Sequence, residues 1–342
     1  MTEPVGFAVI GAGLVGPRHA HFVTEAQGAK LRVVCDLRED RGRPVALQND
    51  ATWVANYREV MQRDDVQVVT ICLPTALHLE VATAAAEAGK HVLVEKPIEL
   101  NIERAAALVA VCKRNGVKLG AVFNRRFVYG TRRTHAAVQG GELGKMLVAD
   151  MRFKAWRAPG YYSESGWRGT WGKEGGGALI NQGIHGVDLM TWIAGPITRV
   201  QGYARHLRHD IEADDTTVAV VEYASGALGI IQCATSIYPK QPDCVEFHGE
   251  RGTIRLEDYA IVGWNLENGS EPGTPSAEEQ MLPGADKDTS VGHFLQVQDM
   301  ADAVREGREP VIRGEDVLHS LAVVQAIYEA ERSGAAVDVA QP

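Results

Sequence analysis

The chain reads as an α/β protein in two parts: a parallel sheet wound with helices over its first third, then an α+β domain built on a large, mainly antiparallel open sheet. Three observations carry that reading. From residue 5 to about 125, short β-rich apolar runs alternate with helical patterns, the mark of strand–helix–strand units. After residue 124 the runs become longer and alternate in polarity, as strands with one covered face do. With 342 residues, 45% of them hydrophobic, and 14 prolines spread along it, the chain can bury two cores. The expected domains are 1–123 and 124–342.

The first domain predicts strands over 7–11, 31–36, 68–73, 91–95 and 118–122, with helices over 16–27, 60–63, 77–88 and 102–115 between them. In the second, 146–156, 215–223, 227–237 and 245–248 read as antiparallel strands. A glycine-rich segment and helix over 174–194 interrupts them, and amphipathic helices over 293–306 and 314–333 follow. The last of these is expected to pack back on the first domain. Residues 268–288, rich in Glu, Gly, Pro and Ser, read as a surface loop.

A net charge of -9 with no run of Lys or Arg leaves no footprint for a phosphate backbone, so nucleic acid is excluded as a partner. No segment is apolar for long enough to span a bilayer, and residues 5–15 lack a basic leader, so no membrane partner is expected and the protein is placed in the cytoplasm. The cysteines Cys35, Cys72, Cys112, Cys233 and Cys244 are odd in number and show no paired spacing. They read as small buried hydrophobes. No metal site is expected.

The strongest local signal lies at the start. Residues 7–10 lead directly into Gly11-Ala12-Gly13-Leu14-Val15-Gly16, with glycine where a strand must turn, approach a pyrophosphate and begin a closely packed helix. An acidic residue, Asp36, ends the next strand. Strand, glycine turn, helix and acid together predict a Rossmann-type domain. The carboxylate suits the ribose hydroxyls of NAD and would repel the 2'-phosphate of NADP, although Arg38 nearby could accommodate that phosphate. His19 and His21, two apart on a helix, point to different faces and read as structural.

Further along, Glu95-Lys96-Pro97 closes a strand ending at the carboxyl edge of the sheet, where such domains place their ligand. Together with Leu73-Pro74-Thr75 and His78, Asn124-Arg125-Arg126-Phe127, Trp167-Arg168, and the run from Gly175 through Asn181, His185 and Asp188, this resembles the glucose-fructose oxidoreductase, inositol dehydrogenase and rhizopine catabolism (Gfo/Idh/MocA) family along essentially the whole chain. The resemblance implies an NAD-dependent dehydrogenase acting on a sugar, inositol or related polyol. It also implies cofactor contacts at Gly11, Gly13, Leu14, Val15, Asp36, Leu73, Pro74, Thr75, His78, Glu95, Lys96 and Arg126. Lys96 and His185 would be catalytic, and Lys96, Arg126, Tyr161, Trp167, Arg168, Asn181 and His185 would meet the substrate. The open sheet implies a homodimer or homotetramer.

The family's usual Asp-x-x-x-His stands here as Asn181-x-x-x-His185. On an α-helix those two share a face, with Asp188 further along. Asn181 can hydrogen-bond a hydroxyl but cannot take its proton, so proton transfer rests on His185 and Lys96. Either Lys96 is neutral and serves as base, or it stays charged and polarises the oxygen while His185 accepts the proton; histidine titrates near ~6.5 and lysine near ~10.4 unperturbed. Two other activities fit the same fold: a non-catalytic NAD-binding sugar sensor, and a transhydrogenating oxidoreductase with tightly held cofactor.

Overall fold

In the computed structural model, which describes residues 3–282 and 290–341, the strands fall into two sheets. Residues 283–288, the end of the expected surface loop, lie outside the described residues. The first sheet contains β1 (Val5–Ile10), β2 (Ala29–Cys35), β3 (Thr52–Val54), β4 (Val68–Ile71), β5 (His91–Val94) and β6 (Leu119–Ala121). They run parallel in the order β3-β2-β1-β4-β5-β6. The order reverses between β1 and β4, and a doubly wound sheet opens its ligand crevice beyond the carboxyl ends at that point. Every residue of β1 and β4 is buried, as parallel strands covered on both faces require.

The helix Gly16–Glu25 has a proline in its first turn, where a missing N–H costs nothing, and buries His19, Ala20, Phe22 and Val23. Phe22 meets Phe294 edge-on at 6.1 Å between ring centroids. Phe294 lies on the helix Ser290–Glu306, which with Val297 and Met300 completes this core. That helix was expected in the second domain. The first unit instead comprises Met1–Glu99, Glu103–Asn124 and Met281–Val317, so the boundary is not a single cut at 123/124. Two elements among the strands and α-helices of the first unit were not expected from the sequence, and in the second unit neither were the helix Tyr129–Gln139 and the strands Ile197–Arg205, Gly252–Glu257, Ala260–Leu266 and Val337–Asp338. The helix Glu39–Gln48 carries Pro44 in its interior and few apolar residues, which hides its period, and β3 is only three residues long.

The second unit, Leu100–Ile102, Arg125–Gln280 and Leu318–Pro342, holds β7 (Met146–Lys154), β8 (Ile197–Arg205), β9 (Thr216–Tyr223), β10 (Leu228–Ala234), β11 (Cys244–Gly249), β12 (Gly252–Glu257), β13 (Ala260–Leu266) and β14 (Val337–Asp338). Their order is β13-β12-β11-β7-β10-β9-β8-β14. All neighbours pair antiparallel except β7 and β10, which run parallel. Those two segments were expected to be antiparallel. The chain returns to β7's flank only after a helix and the antiparallel β8–β9 pair, and this long crossover brings β10 in along the same direction as β7.

Alternate residues of β9 are buried, while Val218 and Val220 are 45% and 56% exposed. Helices Ile184–Ala194 and Leu318–Ser333 pack on the covered face. The segment 314–333 is thus divided: its first turn, Gly314–Val317, belongs to the first unit and packs on β6, while the helix belongs to the second. Among the described residues, no helix is long and apolar enough to cross a membrane.

Within the second unit, the Arg126 guanidinium donates to both carboxylate oxygens of Asp188, at 2.8 and 2.6 Å, and Ser320 Oγ donates to the same carboxylate at 3.1 Å. Asp188 is fully buried. Removing one member of a buried ion pair costs about 3–5 kcal/mol, because the other charge is left desolvated. Asp188→Ala is expected to lower unfolding free energy by about that amount in urea titration. A loss below about 0.5 kcal/mol would mean the pair holds nothing in place.

Candidate active site

In the first unit, the glycine turn after β1 is tightly constrained. Gly11 sits at φ +99°, and a Cβ on Gly16 would lie 1.8 Å from the Gly11 carbonyl oxygen, so only glycine allows the helix to start there. Gly13 is different, because nothing lies within 4 Å of where its Cβ would be. The space over Gly13 is the cradle that a pyrophosphate needs at a helix N-terminus. Leu14 is 77% exposed beside it. Asp36 Oδ2 accepts the Ala12 N–H at 2.7 Å and Oδ1 accepts the Arg38 N–H at 2.8 Å, which fixes the carboxylate beside the glycine turn. These residues fit a dinucleotide. The Arg38 side chain donates to Asp40.

Leu73, Pro74 and Thr75 lead from β4 into a 3-10 turn. The buried His78 ring lies 3.0 Å from the Leu73 carbonyl oxygen and 3.1 Å from that of Pro97, so it ties this loop to the one that follows Lys96. Its side chain serves as a fastening between two loops.

Lys96, half-buried, leaves the carboxyl end of β5. Glu95 beside it is buried, with Oε1 2.9 Å from His19 Nε2 and Oε2 accepting the Lys96 N–H at 3.0 Å; His293 Nε2 lies 3.8 Å from Oε1. Burial alone would raise the Glu95 pKa. The His19 hydrogen bond and the charges of His19, His293 and Lys96 outweigh that and bring it from 4.5 to about 2. Glu95 is therefore a buried carboxylate. His19, read from sequence as structural, is its partner. His19, Glu95 and His293 offer ligand atoms within 4.8 Å of one another, the one metal-capable group among the described residues. No sequence spacing announced it, because its members come from two separate helices and the loop after β5.

In the second unit, Asp214 organises the glycine-rich segment. Its buried carboxylate accepts the N–H groups of Gly177 and Leu179, each at 2.9 Å, and the hydroxyls of Tyr328 and Thr217, each at 2.8 Å. A π turn, Leu179–Gly183, then runs into the α-helix Ile184–Ala194. Asn181 lies in the wide turn and His185 in the first α turn, so the simple four-apart relation of an α-helix does not describe them. Asn181 Nδ2 donates to Glu174, a buried acid whose other oxygen accepts the Gly169 N–H at 2.5 Å. Gln182 Nε2 donates to Tyr161 Oη at 2.9 Å and to Asn181 Oδ1 at 3.1 Å, and Arg157 donates to Gln182 Oε1 at 2.9 Å.

Tyr161, Asn181 and Gln182 therefore share one network. Arg168 joins it by packing over the Tyr161 and Trp167 rings, at 4.3 and 4.9 Å from their centroids. Arg126, by contrast, has its guanidinium on Asp188 and lies over Trp192. Glu174, Gln182, Arg157 and Asp214 were missed from the sequence. Glu174, immediately before three glycines, was the one visible signal.

Residues 5–123 match the family model for the oxidoreductase family with an NAD-binding Rossmann fold, and residues 131–255 match the model for the Gfo/Idh/MocA C-terminal domain. The chain belongs to this family. It is 28% identical over 346 residues to the scyllo-inositol 2-dehydrogenase (NAD(+)) of Bacillus subtilis, covering 98% of this chain and 96% of that one. It is 25% identical to the D-xylose 1-dehydrogenase (NADP(+)) 2 of Haloferax volcanii, covering 97% and 99%. Among solved structures, the WlbA dehydrogenase from Bordetella pertussis in complex with NADH and UDP-GlcNAcA superposes with a TM-score of 0.90 at 27% identity, covering 100% and 99%. The expected two-sheet fold and NAD-binding Rossmann domain are borne out.

The Glu95 shift makes a pH prediction. A folded pKa of about 2 against an ordinary 4.5 stabilises the fold fully above about pH 4.5, and that stabilisation, about 3 kcal/mol, is lost as the pH falls toward 2. Comparing urea midpoints at pH 6 and pH 3, Glu95→Gln is expected to show a shallower acid loss than the parent. Equal losses in both proteins would remove Glu95 from the account.

Proposed function

We propose that the chain is an NAD-preferring dehydrogenase that moves a hydride between nicotinamide and a ring carbon of a sugar, inositol or related polyol. The observation that carries the cofactor preference is the Asp36 carboxylate, held beside the glycine turn by two backbone N–H groups. Placed there it accepts ribose hydroxyls and repels a 2'-phosphate. Arg38, the residue that could offset it, has its guanidinium on Asp40. Relatives of both cofactor types match the chain, so the preference rests on these residues.

Bound NAD supplies the hydride acceptor; the chain must supply the proton chemistry. We assign that to Lys96 and His185. The buried negative charge of Glu95 lies beside Lys96, which supports Lys96 as the cation that polarises the substrate oxygen. His185 then takes the hydroxyl proton, as an imidazole can by accepting at a ring nitrogen. Asn181, oriented by Glu174 and Gln182, presents its amide to a hydroxyl as a positioning group. The buried, unpaired cysteines suit the reducing cytoplasm.

With NAD and a polyol panel, the parent protein is expected to form NADH, with NADP at least about 100-fold less efficient. Lys96→Ala and His185→Ala should each lower kcat by about 100-fold or more while leaving NAD binding by fluorescence nearly intact. Unchanged turnover in both variants would overturn the assignment.

The uncovered face of the second sheet supports a homo-oligomer. Val220 and Leu228, 56% and 59% exposed, line one groove there with Val148 and Ile230. Light scattering is expected to give a dimer or tetramer mass that Val220→Glu shifts downward. A monomeric parent would rule this face out as an interface.

A further inference from the structure

Arg157 and Arg168, both in the second unit, share one aromatic ring. Both are half-buried and both pack on the Tyr161 ring, their guanidinium carbons 5.1 and 4.3 Å from its centroid. Two cations are thereby held within about 10 Å of each other, close enough to repel at physiological salt. Among the described residues neither is ion-paired, whereas Arg126 is neutralised by Asp188 in bidentate fashion. Arg157 donates to the neutral Gln182 amide, and Arg168 makes only a long 3.4 Å bond to the Tyr161 carbonyl. The Nε atom of each is out of contact with solvent and has no hydrogen-bond partner. Glu174 accepts from the Gly169 N–H and from Asn181 Nδ2.

The hydrogen-bond polarity points the same way. Arg157 fixes the Gln182 carbonyl as acceptor, so the Gln182 amide must donate to Tyr161 Oη. That leaves the tyrosine's own proton to give away. Two guanidinium forks and a phenolic O–H form a set of donors that, among the described residues, has no acid paired with it. A neutral polyol hydroxyl would satisfy one donor and leave two charges uncompensated, while an anion with several oxygens satisfies the set and cancels the repulsion.

We propose that Arg157, Arg168 and Tyr161 form an anion subsite, and that the substrate is a sugar carrying a carboxylate or phosphate. This rests on the dehydrogenase reading given above for its turnover, though not for its binding. The test compares pairs that differ only in charge. Glucuronate is set against glucuronamide, with the galactose and mannose counterparts, and glucose 1-phosphate against glucose, in calorimetric binding to the NADH-loaded protein and in NAD reduction. The parent is expected to favour the anion at least tenfold in at least one pair. A carboxylate preference and a phosphate preference identify the two sources separately.

Arg157→Gln and Arg168→Gln should each reduce that ratio several-fold, weakening the anion's Kd and KM more than those of its neutral partner. A general structural defect would weaken both members of a pair equally and leave the ratio intact. A ratio near one in every pair, an absence of binding by every member, or an undiminished ratio in both variants overturns the subsite. Anion-selective binding without NADH formation from any sugar would instead retain the subsite and overturn the dehydrogenase reading. Turnover of neutral and acidic sugars alike would do the reverse.

Discussion

A carboxylate taken out of water must be met by donors or it will not stay charged, and this chain uses that requirement as a fastening. Glu95 holds the start of the lysine loop to His19 on the first helix. Glu99, fully buried, holds the Leu79 N–H and the Arg104 guanidinium, joining the next helix to the same loop. Asp214 gathers the glycine-rich segment, and Asp188 anchors the helix that follows. Segments bearing chemistry are irregular, with few ladder hydrogen bonds of their own. A buried acid that accepts several backbone or side-chain donors gives them definition that hydrophobic contact alone would not.

The first sheet was legible because its strands are continuous apolar runs and its first turn needs glycine at fixed places; both are written in consecutive residues. The elements that escaped are those whose determinants are not local. The helix Glu39–Gln48 contains a proline its neighbours tolerate, and the parallel pairing of β7 with β10 follows from the crossover between them. The helix Ser290–Glu306 has an ordinary amphipathic pattern, and no pattern states which core its apolar face will join.

The candidate site divides along the same line. Gly11, Gly13, Asp36 and Lys96 were visible because a motif places them on one strand end or turn. His185 and Asn181 were visible through resemblance, but the network that orients Asn181 was not. Glu174, Gln182, Arg157 and Tyr161 are ordinary polar residues until folding puts their donors and acceptors in sequence. The substitution of asparagine for the family's usual aspartate looks like a lost charge in the sequence. In the fold a carboxylate is still present beside it, on Glu174, which accepts from the Asn181 amide.

The π turn at Leu179–Gly183 amounts to one residue more than an α-helix would use to make the same turn. Gly177 before it is bound by Asp214, Leu179 and Asn181 within it by Asp214 and Glu174, and the helix after it by the Arg126–Asp188 pair. Each side is thus clamped independently, and the extra residue absorbs the difference in phase between them. Shortening the segment by one would rotate everything downstream by about 100° relative to the upstream clamp. What this stretch must conserve is therefore its length, even at positions where the identity of the side chain is free to drift.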